Sequence, residues 1–472
     1  MDHGEWARPD PTDFDNFVPW ACNQLSVESN VVVTRVAMSE YVSVVVSDRP
    51  EKSKKARKSK TPSPIGSNHS SEYAMGTSID DNVGDKPVRI HTVYDQSMHL
   101  VHIKFLKNES IPQEVIKIIA LVIPMHKHLI SITIDSGLRV HTIYEISKIL
   151  PTSTITEMCL DFTDVPEANY HLLLNHNSLK LLSLAKCNLN DDVVQTIAEK
   201  LVLPSPAAKS LAILNLATNF ITDLGAKYLA EALRSNRRLG YLNISDNLIT
   251  DKGASYIFDI LVEFPLTGQE YVDKKARYAV YLKEKLDLVY TTIKDIKIME
   301  REKKVAKRRG VRSAISSTTK RKTGKDTSKA DMTAKSRLNL EHAVRDKADE
   351  IVEEMVGPYR DPFDRNNTIT RDGVVYCFGN NTLCYLNIAY NNLSIISVER
   401  LRDVLVTQTS WNRSPRGLIN VRIDGNYLPS WCPLLEEIDE ILESQLPTVR
   451  KQSVPNKKKS ARSAVSRNIN SS

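Results

Sequence analysis

Apolar residues in this chain recur in one phrase with two halves. In "LAILNLATNFITDLGAKYLAEAL" (211–233), Leu214 and Leu216 alternate with polar positions, and then Ala226, Leu229 and Leu233 follow at spacings of three and four. Alternation predicts a short strand, and the longer spacing predicts one face of a helix. The phrase returns 28 residues later as "LGYLNISDNLITDKGASYIFDIL" (239–261). Sliding its first half along the chain gives clear unit starts at Leu179, Leu211, Leu239, Leu383 and Leu418, and weaker ones at Leu100, Leu129 and Ile155. The helical half is an independent check. Offsets of 15, 18 and 22 residues select Val194, Ile197 and Leu201 from Leu179, Ala254, Ile257 and Leu261 from Leu239, and Val398, Leu401 and Leu405 from Leu383. They select Val115, Ile118 and Val122 from Leu100; the trio after Leu129 (Ile143, Ile146, Leu150) comes one residue early, and the unit at Ile155 fits poorly.

A strand-and-helix unit of this size cannot bury its apolar side alone, so stacked copies are expected. Asn219 and Asn247, with Cys187 one unit earlier, stand where the chain leaves the strand and can satisfy turn backbone groups. Thr222 or Asp223, and Thr250 or Asp251, are the expected helix N-caps. The phrase matches LxxLxLxxN/CxL, and with "NxITDxGAxxLAxAL" it resembles the ribonuclease-inhibitor type of leucine-rich repeat. That resemblance covers about 100–263 and 381–446. It implies an α/β solenoid: a horseshoe with an inner parallel sheet and outer helices.

Unit starts are 24 to 35 residues apart except between Leu239 and Leu383, where the interval is 144. An insertion is therefore expected over 264–380. Ala279, Leu282, Leu286, Val289, Ile293 and Ile296 have coiled-coil spacing, and Leu340, Val344, Ala348, Ile351 and Met355 follow before Gly357-Pro358. The reading is helices at about 270–309 and 338–356 around a disordered basic tip, 310–336, either projecting or lying back on the convex side. The other expected segments are a partly disordered N-terminal region (1–90, Ser/Lys-rich over 49–72), repeats over 91–263, last repeats and cap over 381–446, and a disordered basic tail over 447–472. A repeat array interrupted late by a lysine-rich insertion resembles the family of leucine-rich repeat-containing protein 71, which is associated with motile cilia.

Charge sharpens this division. Residues 301–330 carry a net +10, 51–60 carry +5 and 450–472 carry +7, so the overall +7 leaves about −15 on the remainder. The basic segments imply contact with a polyanion, and Lys303, Lys304, Arg308, Arg309, Lys320, Arg321, Lys322 and Lys325 are the candidate residues. The longest apolar run, 116–125, is too short to span a bilayer, and no signal peptide is visible. Six cysteines without a CxxC pair read as reduced thiols in an intracellular protein. Neither GxxxxGK[ST] nor GxSxG occurs, and "HKH" at 126–128 has no HExxH spacing. No enzyme, cofactor or metal is expected, and no membrane contact.

What remains is surface. Strand residues alternate sides, which puts Asn243 and Asn387 on the concave face, Tyr241 and Tyr385 in one outer column, and Phe162 and Tyr390 in another. These six are the candidate protein-binding residues, because exposed aromatics on a rigid sheet serve as interface anchors. The expected function is a protein-binding scaffold of the ciliary axoneme, through the family resemblance, with tubulin as the acidic surface. The alternative is a cytosolic regulator of a signalling or GTPase system, since such repeats also resemble those of Ran GTPase-activating proteins. Nucleic-acid binding is weaker, because aromatics do not interleave the basic segments.

Overall fold

The computed structural model describes residues 8–36, 86–311, 329–411, 413–429 and 431–445, with side chains except at 304–311, 329–340 and 445. The expected disordered stretch 49–72, the basic tail 447–472 and much of the basic tip lie outside them. Thirteen strands are seen among the described residues: β1 (Val31–Val36), β2 (Val88–Tyr94), β3 (Leu100–Phe105), β4 (Ser131–Ile134), β5 (Glu157–Cys159), β6 (Leu181–Ser183), β7 (Ile213–Asn215), β8 (Tyr241–Asn243), β9 (Phe264–Pro265), β10 (Thr368–Arg371), β11 (Val374–Cys377), β12 (Tyr385–Asn387) and β13 (Asn420–Arg422). Ten of them form one mixed sheet in the order β1-β2-β3-β4-β5-β6-β7-β8-β12-β13, parallel throughout except between β2 and β3. Helices α1 (Phe14–Gln24), α2 (Gln113–Val122), α3 (Thr142–Ile149), α4 (Asp191–Leu201), α5 (Ala207–Ser210), α6 (Asp223–Ser235) and α7 (Asp251–Asp259) precede the insertion expected over 264–380. Within it run α8 (Gly268–Val311) and α9 (Lys329–Val356), and after it α10 (Ile395–Ser410) and α11 (Pro433–Gln445). The architecture is α/β, with one large, mostly parallel sheet and helices packed in series.

The core is built from the positions that the phrase repeats. Leu182, Leu214, Leu242 and Leu386 lie side by side in adjacent strands, and all four are fully buried. Every helical trio named above is buried in the same cluster. Each such Val, Leu or Ile side chain contributes roughly 1.5–3 kcal/mol, and the alanines less. Where Ile155 begins its unit, the helix is replaced by a short 3-10 turn, Tyr170–Leu174, which is why the trio was not legible there.

Three polar devices join unit to unit. Asn219 Nδ2 donates to the carbonyls of Leu184 (3.0 Å) and Leu216 (2.9 Å), while its Oδ1 accepts from Cys187 N and Leu189 N; Asn247, Asn391 and Asn426 repeat the pattern. Thr222 and Thr250, rather than the neighbouring aspartates, cap α6 and α7. The aspartates reach forward instead. Asp191, Asp223 and Asp251 accept from the backbone N–H of Thr222, Thr250 and Ser394 and from their hydroxyls, each fastening the next helix start. The third device is a left-handed turn after the strands, at Phe162, Lys186, Thr218, Asp246, Tyr390 and Gly425 (φ 54–74°). A non-glycine residue there costs about 1–2 kcal/mol, offset by ladder bonds such as Lys186 N to Ala217 O (3.0 Å) and Tyr390 N to Asp424 O (2.8 Å).

The long interval is an excursion from an unbroken sheet. Tyr241, Leu242 and Asn243 of β8 pair in register with Tyr385, Leu386 and Asn387 of β12. The chain leaves after α7 and returns at Asn380, whose side chain caps carbonyls of Leu233 and Asn236. Within the excursion, α8 and α9 pack antiparallel around Val289, Ile296, Val344, Ala348 and Val352. The helical layer of the main sheet meets this pair at its base, where Arg234 of α6 binds Glu270 at the start of α8.

Several expectations need correction. The helices extend beyond 270–309 and 338–356, and residues 329–336, expected in the disordered tip, begin α9; Lys329, Ala330, Met332, Ala334 and Lys335 are good helix formers. In α8 the expected stripe is only half right. Val289 and Ile296 are buried and Ile293 is partly buried, but Ala279, Leu282 and Leu286 face outward. Tyr281 and Lys285 meet the α9 end instead, through Gly357 O and Glu353. The excursion also holds a small antiparallel sheet, β10-β11-β9, whose hairpin turns on Asp372-Gly373. Both turn residues have positive φ, and Asp-Gly is the sequence that such a two-residue turn favours. At the N terminus, α1 and β1 extend the sheet into the region set apart as 1–90, and β2 crosses that boundary.

Candidate functional site: the open face of the sheet

One face of the sheet carries the helices; the other presents columns of side chains held in register. The residues four places after each unit start form one column, Lys104-Thr133-Cys159-Ser183-Asn215-Asn243-Asn387-Arg422, each paired with the next. Two places earlier lies a second column, in which Leu181, Ile213, Tyr241 and Tyr385 adjoin. Parallel strands lie about 4.8 Å apart, so equivalent side chains of adjacent units are forced into contact. Tyr241 and Tyr385 stack face to face, with ring centroids 4.1 Å apart and planes 4° from parallel.

The Tyr241 ring borders a recess of about 330 Å³ that runs from the turn after β5 to β13. Asn215, Asn243 and Asn387 line it, Asp161 stands at one end, and Tyr390 and Arg422 at the other. Asn243 and Asn387 are only 6% and 8% exposed. Both were expected as free contact residues, but each Oδ1 accepts a backbone N–H two residues on, from Ser245 (3.1 Å) and Ala389 (3.1 Å). They are a hydrogen-bonded floor. Asp161 is anchored likewise, by the Ser183 hydroxyl (2.6 Å) and Ala185 N (2.8 Å). Burial raises the Glu157 carboxyl and pushes the Cys159 thiol up strongly.

The predicted aromatics divide. Tyr241 and Tyr390 line the recess and Tyr385 stacks on Tyr241 outside its lining, whereas Phe162 lies on the turn after β5, exposed, with Lys186 Nζ 4.8 Å from its ring centroid. Phe162 and Tyr390 both sit in left-handed turns rather than on strands, which splays them to the rim. Sequence reasoning missed Asp161 and Ser245, six residues after their unit starts, a position that the strand template does not weigh. Of the basic candidates, Lys303 is exposed on α8; Lys304, Arg308 and Arg309 lie on the same helix, and Lys320, Arg321, Lys322 and Lys325 lie outside the described residues.

The described residues hold no group of three or more His, Cys, Asp or Glu side chains that could bind a metal, and no helix long and apolar enough to cross a membrane. His128 stacks on His99 at 3.9 Å, and His126 packs edge-on against Phe14. The Cys22 and Cys187 thiols are pushed up to about 12 and about 11 by burial, which keeps them unreactive. No protein-family model matches the chain, and no curated protein matches it.

Proposed function

We propose that this chain is a leucine-rich repeat protein of the ribonuclease-inhibitor type, a non-enzymatic scaffold that holds a protein partner on the open face of its sheet. The observation that carries the reading is the stacked Tyr241–Tyr385 pair over an amide floor. Two rings fixed in register offer a large amphipathic surface already ordered before binding, which lowers the entropic cost of association. The floor presents amide dipoles and few charges, suited to a polypeptide rather than to an ionic metabolite. The lysine-rich segments add an electrostatic, salt-screened contact with an acidic surface such as tubulin. The setting that the family resemblance implies is the axoneme of motile cilia.

Proximity labelling in ciliated cells identifies the neighbours; a set dominated by nuclear RNA-binding proteins overturns the axonemal setting. Two variants then separate the surfaces. Tyr241→Ala with Tyr385→Ala weakens capture of the principal protein neighbour by about 2 kcal/mol or more and leaves microtubule binding intact. Reversing the charges of Lys320, Arg321, Lys322 and Lys325 weakens microtubule binding at low salt and spares that neighbour. Equal losses in all four measurements would mean a single shared site.

A further inference from the structure

Among the described residues, helix α8 has more apolar surface than α9, the helix packed along it, covers. Tyr281, Leu288, Val289, Ile293 and Ile296 turn toward α9. A second series lies on the adjacent face: Val272, Ala279, Leu282, Leu286 and Tyr290, at spacings of seven, three, four and four. All five are exposed, Val272 at 57%, Leu282 at 40%, Leu286 at 51% and Tyr290 at 63%. A helix with one packing partner needs an apolar stripe little more than about 100° wide. The two series together span roughly twice that, the pattern of a helix in a bundle.

The borders say what kind of helix completes the bundle. Lys275, Lys283, Lys294 and Lys297 are exposed along the outer series. On α9 the outward side is acidic, with Asp346, Asp349, Glu350 and Glu354 exposed. Apolar seam with basic border and acidic flank thus belong to the same helical pair. We infer that the α8–α9 pair docks on that of a second copy of this chain, α8 seam against α8 seam, with the carboxylates of each α9 beside the lysines of the other copy. Such a contact is isologous and closes as a twofold dimer, needing no second patch. It is separate from the open face of the sheet and stands or falls independently of it.

The test is the mass of the full-length chain in solution, by sedimentation velocity and light scattering at low salt over a range of concentrations. The expected result is twice the chain mass, reverting to one chain mass in Leu282→Glu with Leu286→Glu. Both side chains are exposed on the single chain, so that double variant should keep its parent's circular-dichroism spectrum and protease resistance, which separates lost docking from misfolding. Lys283→Glu with Lys294→Glu should weaken the dimer about tenfold, and adding Asp346→Lys with Glu350→Lys should restore it. A parent chain that stays monomeric at every concentration overturns the inference and leaves the seam to a helix from another protein. A dimer indifferent to the Leu282/Leu286 variant overturns it equally.

Discussion

Asp191 Oδ1 accepts from Thr222 N and Gly225 N, and Asp223 Oδ1 accepts from Thr250 N and Gly253 N. These bonds explain why "TDxGA" recurs: threonine caps its own helix, aspartate fastens the next unit, and glycine leaves room for the previous aspartate. A Cβ on Gly225 would lie 2.5 Å from Asp191 Oδ1 and 2.6 Å from Ile221 Cγ2. Gly225→Ala should therefore destabilise by about 1–3 kcal/mol despite the better helix propensity of alanine, and a denaturant midpoint at or above the parent's would refute the clash. In the unit after the excursion, Ser397 replaces the glycine and donates its hydroxyl to Asp251 Oδ1. For Asp251, burial alone would raise the carboxyl, but bonds from Ser394 and Ser397 outweigh it and hold the carboxyl below its usual range. A second titration belongs to His102, buried in β3, with Nε2 3.0 Å from Thr133 Oγ1; burial, then Lys104, lower it from 6.5 to about 4. A depressed folded value means that the stability it confers is complete above pH 6.5 and is lost as pH falls toward 4. His102→Gln should flatten that limb, removing up to about 3 kcal/mol of pH dependence, as read from chemical melts at pH 7 and pH 4.5. Parallel pH profiles for the two proteins would exclude His102 as the group responsible.

At the scale of elements, the excursion is closed at its base and free of the main helical layer beyond it. Arg234 binds Glu270 (2.6 Å), Arg277 binds the nearly buried Asp361 (2.8 Å), and β9 pairs with β11. Removing residues 300–336 leaves these contacts and the Val289–Val352 cluster in place, and the cost of loop closure changes by only about 0.6 kcal/mol per doubling of length. The shortened chain should keep its main melting transition and its protease resistance; cleavage throughout the sheet after that deletion would show that the tip supports the core. Helix existence was legible from the three-and-four spacing in both α8 and α9. The face that meets α9 was not, because α8 carries two apolar series and only the partner helix selects between them. The hairpin β10-β11 was legible in principle through Asp372-Gly373, but strands of four residues carry too little alternation to stand out.

Across the whole molecule, stability is shared between neighbours, since Leu214 touches the units on both sides through the columns that it completes. Leu214→Ala or Leu242→Ala should cost about 2–5 kcal/mol. The loss should appear as faster hydrogen exchange in strands on both sides of the altered one; protection lost in a single strand only would mean that the units fold independently. The repeat phrase by itself determined the unit, its strand and helix, the buried positions and the alignment that puts Tyr241 beside Tyr385, because burial of one face with period two, then three to four, is a local property. Only the tertiary structure decided the rest. It closed the sheet across 144 residues, turned Asn243 and Asn387 into a bonded floor, and placed α1 and β1 on the sheet's edge. Those outcomes depend on which backbone groups and which apolar faces lack partners once the units are stacked, and that is a property of neighbours in space that no stretch of sequence carries alone.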